Sequence, residues 1–319
     1  MGKAWYDRSA EARAVFDQAD ALLANRLGAP LYKLCFDGPA DRLNNTDVSQ
    51  PAIYVTSVAC WRGLLASWGS GSGNGSGGVG VIESHVAATA GLSLGEYTAL
   101  HIAGAFSFEA GLELVVLRGR AMQDAADAIK LPDGSPGSGM VALIGADEAQ
   151  ADQVCSKALS SGGSGEVLVP ANFNAPGQIV ISGSIAPCRR AIDIAGQMGL
   201  RASPLQVAGA FHSPLMRSAA ERLAAALNSA PIHAPRCPVA SNVTGQVHAP
   251  IPSRSIEDSI RQRLVEQLTQ PVRWAQNCQY LTQNFKAEAH ELAPGKTLAG
   301  LMRRIDKSVK VETHDEPSN

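Results

Sequence analysis

The chain has 319 residues, of which 45% are hydrophobic and 18% charged, and its formal net charge is −2. That length leaves room for one or two domains and a large buried core. The near-neutral balance excludes the basic excess of a general nucleic-acid or membrane-surface binder, and no stretch reaches the roughly 18 consecutive apolar residues that a membrane span needs. No apolar signal core follows the opening run Met1-Gly2-Lys3-Ala4-Trp5-Tyr6-Asp7-Arg8, so no secretion signal is expected. The six cysteines (Cys35, Cys60, Cys155, Cys188, Cys237 and Cys278) are scattered with no CxxC pair. Neither a zinc site nor a disulfide framework follows from that spacing, and reduced thiols in a cytoplasmic compartment are expected.

In chain order, Trp5, Ala12, Phe16, Ala19, Leu22 and Leu23 recur at helical spacing, giving a helical start that ends near Gly28-Ala29-Pro30. Ser49 before Pro51 suits an N-cap and an early helical proline, with the helix running to about Trp68. GSGSGNGSGG, residues 69–78, lacks core-forming side chains and reads as a flexible surface loop. HVAATA (85–90) reads as a short buried strand leading into Gly91-Leu92-Ser93-Leu94-Gly95, then a helix over about 96–103 and another over about 109–129. From Met140, the segments MVALIG, EVLVP and QIVISG read as strands, with helices over about 147–160 and 186–198 and a fourth strand at 205–207. This β-α-β-β-α-β order predicts an inserted ferredoxin-like α+β subdomain, residues 138–207. The α/β rhythm then returns with helix 214–229, strand 237–243, helix 256–268, strand 287–292 and helix 297–305; the tail after Lys310 is expected to fray.

GLSLG fits G-x-S-x-G. In that motif a serine sits on a sharp strand-to-helix turn, its hydroxyl faces a cleft, and the next backbone N–H can meet a developing oxyanion at a helix N-terminus. Here the serine is Ser93 and the N–H belongs to Leu94. A plain tight turn is the competing reading. A serine nucleophile needs a base, and spacing alone does not choose among His85, His101, His212, His233, His248, His290 and His314. His212 stands out because Gly209-Ala210-Phe211-His212-Ser213-Pro214 is a loop before a helix, where functional side chains concentrate; a histidine merely capping that helix is the alternative.

GLSLGEYTAL, LRGRAMQ, NFNAPGQIVISG, GAFHSPLM, QPVRW and APGKTLAGL occur in this order. With these motifs the chain, from about residue 4 to 310, resembles the malonyl-CoA:acyl carrier protein transacylase family of type II fatty-acid synthesis. The resemblance implies an α/β-hydrolase-like core (residues 1–137 and 208–319) carrying the ferredoxin-like insert. It implies Ser93 as nucleophile and His212 as base, with the imidazole oriented by the main-chain carbonyl of Gln267 rather than by an acid. Arg118 would grip the free malonyl carboxylate, and Gln50 falls at a family active-site glutamine. Asn172, Asn174 and Gln178 of NFNAPGQ would form a loop near the cleft, with Asn172 and Gln178 as substrate contacts. The implied reaction is ping-pong: Ser93 takes malonyl from malonyl-CoA and passes it to the thiol of acyl carrier protein, with no metal and no cofactor. Phe211 is the family feature tied to malonyl over methyl-branched groups. Glu96 would favour the helix dipole, and Lys296, Arg303 and Arg304 would form a solvated helix face or meet an acidic partner.

Two departures from the family pattern stand out. Leu92 replaces the usual histidine before the nucleophile. The family's opening buried strand and glutamine-containing loop, source of a second oxyanion N–H, have no counterpart, so Met1 is expected to match an internal methionine of a longer protein. A truncated, weakly active carrier-protein-binding form is therefore one rival reading, and a serine esterase or thioesterase is the other. Cytoplasmic location is expected, with an organelle stroma or matrix left open should the start be truncated.

Overall fold

The computed structural model describes residues 1–70 and 85–318. The expected Gly/Ser loop at 69–78 therefore lies, from residue 71 onward, outside the described residues. The protein is a mixed α/β chain that divides into two compact units: residues 1–119, 231–240 and 282–319, and residues 120–230 and 241–281.

The first unit begins with α1 (Lys3–Arg8), α2 (Ala10–Leu23), α3 (Leu31–Asp37), α4 (Ala40–Asn44) and α5 (Thr46–Ser70). Ser9 starts α2 by accepting from the Ala12 amide at 3.1 Å, as an N-cap serine does. Ala12, Phe16, Ala19 and Leu23 follow at helical spacing and are almost fully buried. Tyr6, Phe16, Tyr32 and Phe36 form an aromatic cluster that joins α1, α2 and α3. Helix α5 is apolar nearly all round. Val48, Ala52, Tyr54, Val55, Val58, Ala59 and Cys60 are buried, as befits a central helix. It begins at Thr46, so Pro51 lies inside the helix rather than at its start. The amides of Val48 and Ser49 already bond to the Asn45 carbonyl, which extends the helix N-terminal to the expected cap.

The expected strand 85–90 reduces to a parallel bridge between Thr89 and Val239, with the Thr89 amide on Pro238 O and the Ala240 amide on Thr89 O, both at 2.9 Å. A run of small alanines has little side chain to pack on a pleated surface. Then come α6 (Gly95–Ile102) and α7 (Phe108–Asp127).

In the second unit, β1 (Ser138–Ile144), α8 (Glu148–Ser160), β2 (Leu168–Ala175), β3 (Gln178–Ser184), α9 (Ile185–Gln197) and β4 (Arg201–Pro204) follow in turn. The four strands form one antiparallel sheet in the order β2-β3-β1-β4. The fourth strand lies a few residues before the expected 205–207, because Val141 of β1 pairs with Pro204. Period-two alternation divides the sheet. Val141, Leu143, Ile179 and Ile181 face Val154, Ala158, Cys188 and Ala191 of the helices, whereas Met140, Ala171 and Val180 face Val207 and Phe211. Asn172 and Asn174 lie in β2, not in a loop, and Gln178 opens β3; the NFNA segment is drawn into the ladder by pairing with β3.

Beyond the sheet lie a 3₁₀ turn (Pro214–Met216), α10 (Arg217–Ser229), the short strands β5 (Ala240–Ser241) and β6 (Gln246–Val247), α11 (Ile256–Glu266), α12 (Trp274–Asn284), β7 (Ala289–Leu292), α13 (Thr297–Ile305) and β8 (Val311–His314). The tail does not fray at Lys310. Val311–His314 pairs in parallel with β7, in the first unit. Glu291 of β7 holds α13 in place, accepting from the amides of Leu298 and Ala299 at 2.7 Å each. A carboxylate on the first amides of a helix satisfies donors that have no partner within the helix.

Candidate active site

Ser93 sits in the turn just before α6 with φ 51°, in the left-handed region that non-glycine residues rarely occupy. The turn is closed by Gly95 N–H to Leu92 O at 2.9 Å and Glu96 N–H to Ser93 O at 3.2 Å. Gly91 makes it possible: a Cβ there would lie 1.9 Å from the Gly95 carbonyl carbon. Leu94, with helical φ and ψ, is the N-cap of α6, so its backbone follows the serine at a helix N-terminus.

Arg118 belongs to the same unit and is 1% exposed. Its Nη2 donates to Ser93 Oγ at 3.0 Å and its Nη1 to Gln50 Oε1 at 2.7 Å. The approach of α7 to α5 arranges this contact. A Cβ on Gly119 would lie 2.6 Å from Thr46 O, so only glycine lets Arg118 come down beside Gln50. The guanidinium also lies 5.6 Å from the centre of the Tyr97 ring. Burial pushes its pKa down, while Tyr97 and Glu96 push it back up; an arginine starts so high that it stays charged. Glu96 is fully buried in the first turn of α6. The sequence reading limited it to the helix dipole and overlooked Tyr97. The GEY segment was the available signal, since both residues follow the serine by one helical turn.

In the second unit, His212 is 4% exposed and also has positive φ, 57°. Its Nδ1 lies 2.7 Å from the main-chain oxygen of Gln267, which caps α11 and is fully buried. A carbonyl only accepts, so Nδ1 carries the proton in this contact and Nε2 is the ring's other nitrogen. The loop around it is pinned. Ser213 Oγ donates to Ala210 O at 2.7 Å, the Ala210 amide donates to Ser138 Oγ at 3.2 Å, and Phe211 packs against Met140, Ala171 and Val180 of the sheet. Asn172 bridges to Val272, flanked by the Phe173 amide on Val272 O and the Val272 amide on Ala171 O, both at 2.8 Å. Gln178 opens the neighbouring strand.

The structure thus groups Ser93, Leu94, Gln50 and Arg118 in one unit and His212, Gln267, Asn172 and Gln178 in the other. Of the other histidines, His101 is engaged with the Phe106 carbonyl at 3.1 Å. Lys296, Arg303 and Arg304 are exposed. All six cysteines are free. Burial pushes Cys35, Cys60, Cys155 and Cys278 up to about 12 and Cys188 to about 11, so these thiols are poor nucleophiles. No helix among the described residues is long and apolar enough to cross a membrane.

The model of the acyl transferase domain family matches residues 1–308. The chain is 35% identical over 305 residues to the malonyl CoA-acyl carrier protein transacylase of Escherichia coli K12, covering 95% of this chain and 89% of that protein. Its fold matches the crystal structure of a malonyl-CoA:acyl carrier protein transacylase from Xanthomonas oryzae pv. oryzae with a TM-score of 0.84 and 38% identity, over 99% of this chain and 90% of that one. A malonyl-transacylase solved in complex with a type II polyketide acyl carrier protein matches with a TM-score of 0.80 and 33% identity, over 96% and 88% of the two chains. Matched along nearly its whole length by both sequence and fold, this chain belongs to the malonyl-CoA:acyl carrier protein transacylase family of acyltransferases.

Proposed function

We propose that this chain transfers a malonyl group from malonyl-CoA to the phosphopantetheine thiol of acyl carrier protein through a malonyl ester on Ser93, supplying the extender unit for fatty-acid synthesis in the cytoplasm. The observation that carries this reading is the buried Arg118 fork, which donates to Ser93 Oγ and to Gln50 Oε1. A guanidinium only donates, so Ser93 Oγ is the acceptor and its own proton needs another acceptor. In the tautomer that puts Nδ1–H on the Gln267 carbonyl, Nε2 is the basic atom of His212. As the family resemblance implies, His212 is the base that takes the hydroxyl proton when Ser93 attacks the thioester carbonyl. The Leu94 N–H stabilises the oxyanion, and the coenzyme A thiolate leaves with the proton returned by His212. The carrier thiol repeats the sequence in reverse and frees Ser93.

Arg118 also sets the substrate. The malonyl carboxylate accepts from the fork in place of the two neutral oxygens, a stronger, bidentate pairing. An acetyl group offers it nothing, which gives the preference for malonyl and speaks against a general esterase. Gln50 aims the fork, and Asn172 and Gln178 are read as further substrate contacts, as the family resemblance implies. Burial raises the pKa values of all six cysteines, which removes the obvious rival nucleophiles. In fold, we read residues 1–137 and 208–319 as an α/β-hydrolase-like core and 138–207 as its ferredoxin-like insert. The β2-β3-β1-β4 order, with both helices on one face, supports the insert. The test is transfer of malonyl and acetyl from their coenzyme A esters to holo acyl carrier protein. Faster malonyl transfer that depends on Arg118 supports the reading, and equal use of both esters overturns it.

A further inference from the structure

Three residues that the acyl-transfer scheme leaves unused converge at the end of the β7–β8 pair. The parallel register sets His290 opposite Glu312 and Leu292 opposite His314. Side chains two apart on a strand share a face, so Glu312 and His314 point to one side and His290 joins them from the neighbouring strand. His290 Nδ1 lies 3.0 Å from His314 Nε2 and 3.8 Å from Glu312 Oε2. The three ligand atoms all lie within 4.8 Å of one another. A single nitrogen of His290 thus faces both other donors. Its second nitrogen, Nε2, lies 3.9 Å from the carboxylate of the exposed Glu288. The His314 backbone is fixed from behind, its carbonyl accepting from Trp5 Nε1 at 2.9 Å and from Cys60 Sγ at 3.3 Å. The Trp68 ring walls the cluster, 5.4 Å from the His290 ring and 6.1 Å from that of His314.

We propose that His290 Nδ1, His314 Nε2 and the Glu312 carboxylate bind one divalent transition-metal ion, zinc foremost, with a fourth position left for water. Ligands at about 2.0–2.1 Å in tetrahedral geometry stand roughly 3.3 Å apart, between the two spacings seen here. Two imidazoles and a carboxylate suit zinc, cobalt or nickel, whereas magnesium and calcium take oxygen donors. The ion would fasten β8 to β7 and so secure the C-terminal strand, and none of its ligands belongs to the acyl-transfer scheme. The scattered cysteines gave no hint of it, because the donors are histidines and a glutamate joined only by strand pairing.

The test uses the full chain after removal of bound metal, titrated calorimetrically with zinc chloride and, separately, magnesium chloride. Zinc is expected to bind at one equivalent and raise Tm by a few degrees, with magnesium silent; cobalt in its place should give the visible absorption of a four-coordinate site. His290→Ala and the near-isosteric Glu312→Gln, both at exposed positions, should weaken zinc binding at least about tenfold with malonyl transfer unchanged. Absent stoichiometric binding, or equal affinity in wild type and both variants, would reduce the cluster to an imidazole–imidazole hydrogen bond and overturn the proposal.

Discussion

Replacing Arg118 with Met removes the guanidinium while keeping most of the side-chain volume, so it probes charge more than packing. Arg118 is 1% exposed, so whatever it binds is desolvated with it. In the free protein the fork donates to Gln50 at 2.7 Å and to Ser93 at 3.0 Å. In the malonyl complex both would go to the carboxylate. A hydrogen bond to a charged group contributes about 1.5–3 kcal/mol, so losing the pair costs about 3–6 kcal/mol of transition-state binding. At about 1.36 kcal/mol per decade, kcat/KM for malonyl-CoA should fall by about 10²–10⁴. Acetyl-CoA makes neither bond and should lose nothing; it should gain, because its methyl group no longer faces a buried cation. The assay is paired kcat/KM measurement with both esters and holo acyl carrier protein, with near-UV circular dichroism to verify the fold. Malonyl-CoA kcat/KM within tenfold of wild type, in a folded variant, would refute this assignment of the fork.

Other outcomes follow from the same geometry. His212→Ala should lower kcat by about 10²–10⁴, the range for loss of a general base, whereas Gln267→Ala should lower it far less because the orienting group is main chain; steady-state kinetics on the two variants checks the contrast. Gly91→Ala should destabilise the fold by more than the 1–3 kcal/mol of ordinary overpacking, since its Cβ meets backbone at 1.9 Å; urea unfolding measures it. For the thiols the sign is simple: raised pKa values mean neutral thiol below pH 11. The five buried cysteines should therefore resist iodoacetamide at pH 8.5 in the native state, and Cys237, half-exposed, should label first; peptide mapping reads the sites.

How much of this was legible beforehand varied with the range of the interaction. Helix α13 falls where its periodicity puts it, at Thr297–Ile305, because a helix is closed by neighbours in sequence. The turn at Ser93 was also readable, since Gly91 and Gly95 flank it. Long-range pairings were not. Val311–His314 looks like a frayed end until β7 supplies its partner. Asn172 looks like a turn residue until β3 and Val272 draw it into the ladder. The Arg118–Gln50 contact spans 68 positions and depends on Gly119 letting two helices touch, which no local pattern announces. Helix α12 was missed because Trp274–Asn284 is largely polar, and Asn277 is one of the three residues it buries, beside Trp274 and Cys278.

The most direct measurement is intact-protein and peptide mass spectrometry after brief incubation with malonyl-CoA and no acceptor. A malonyl ester confined to the peptide carrying Ser93, absent from Ser93→Ala and discharged when holo acyl carrier protein is added, is the predicted result. A folded protein that transfers malonyl with no acyl adduct, or with the adduct on another residue, would contradict it.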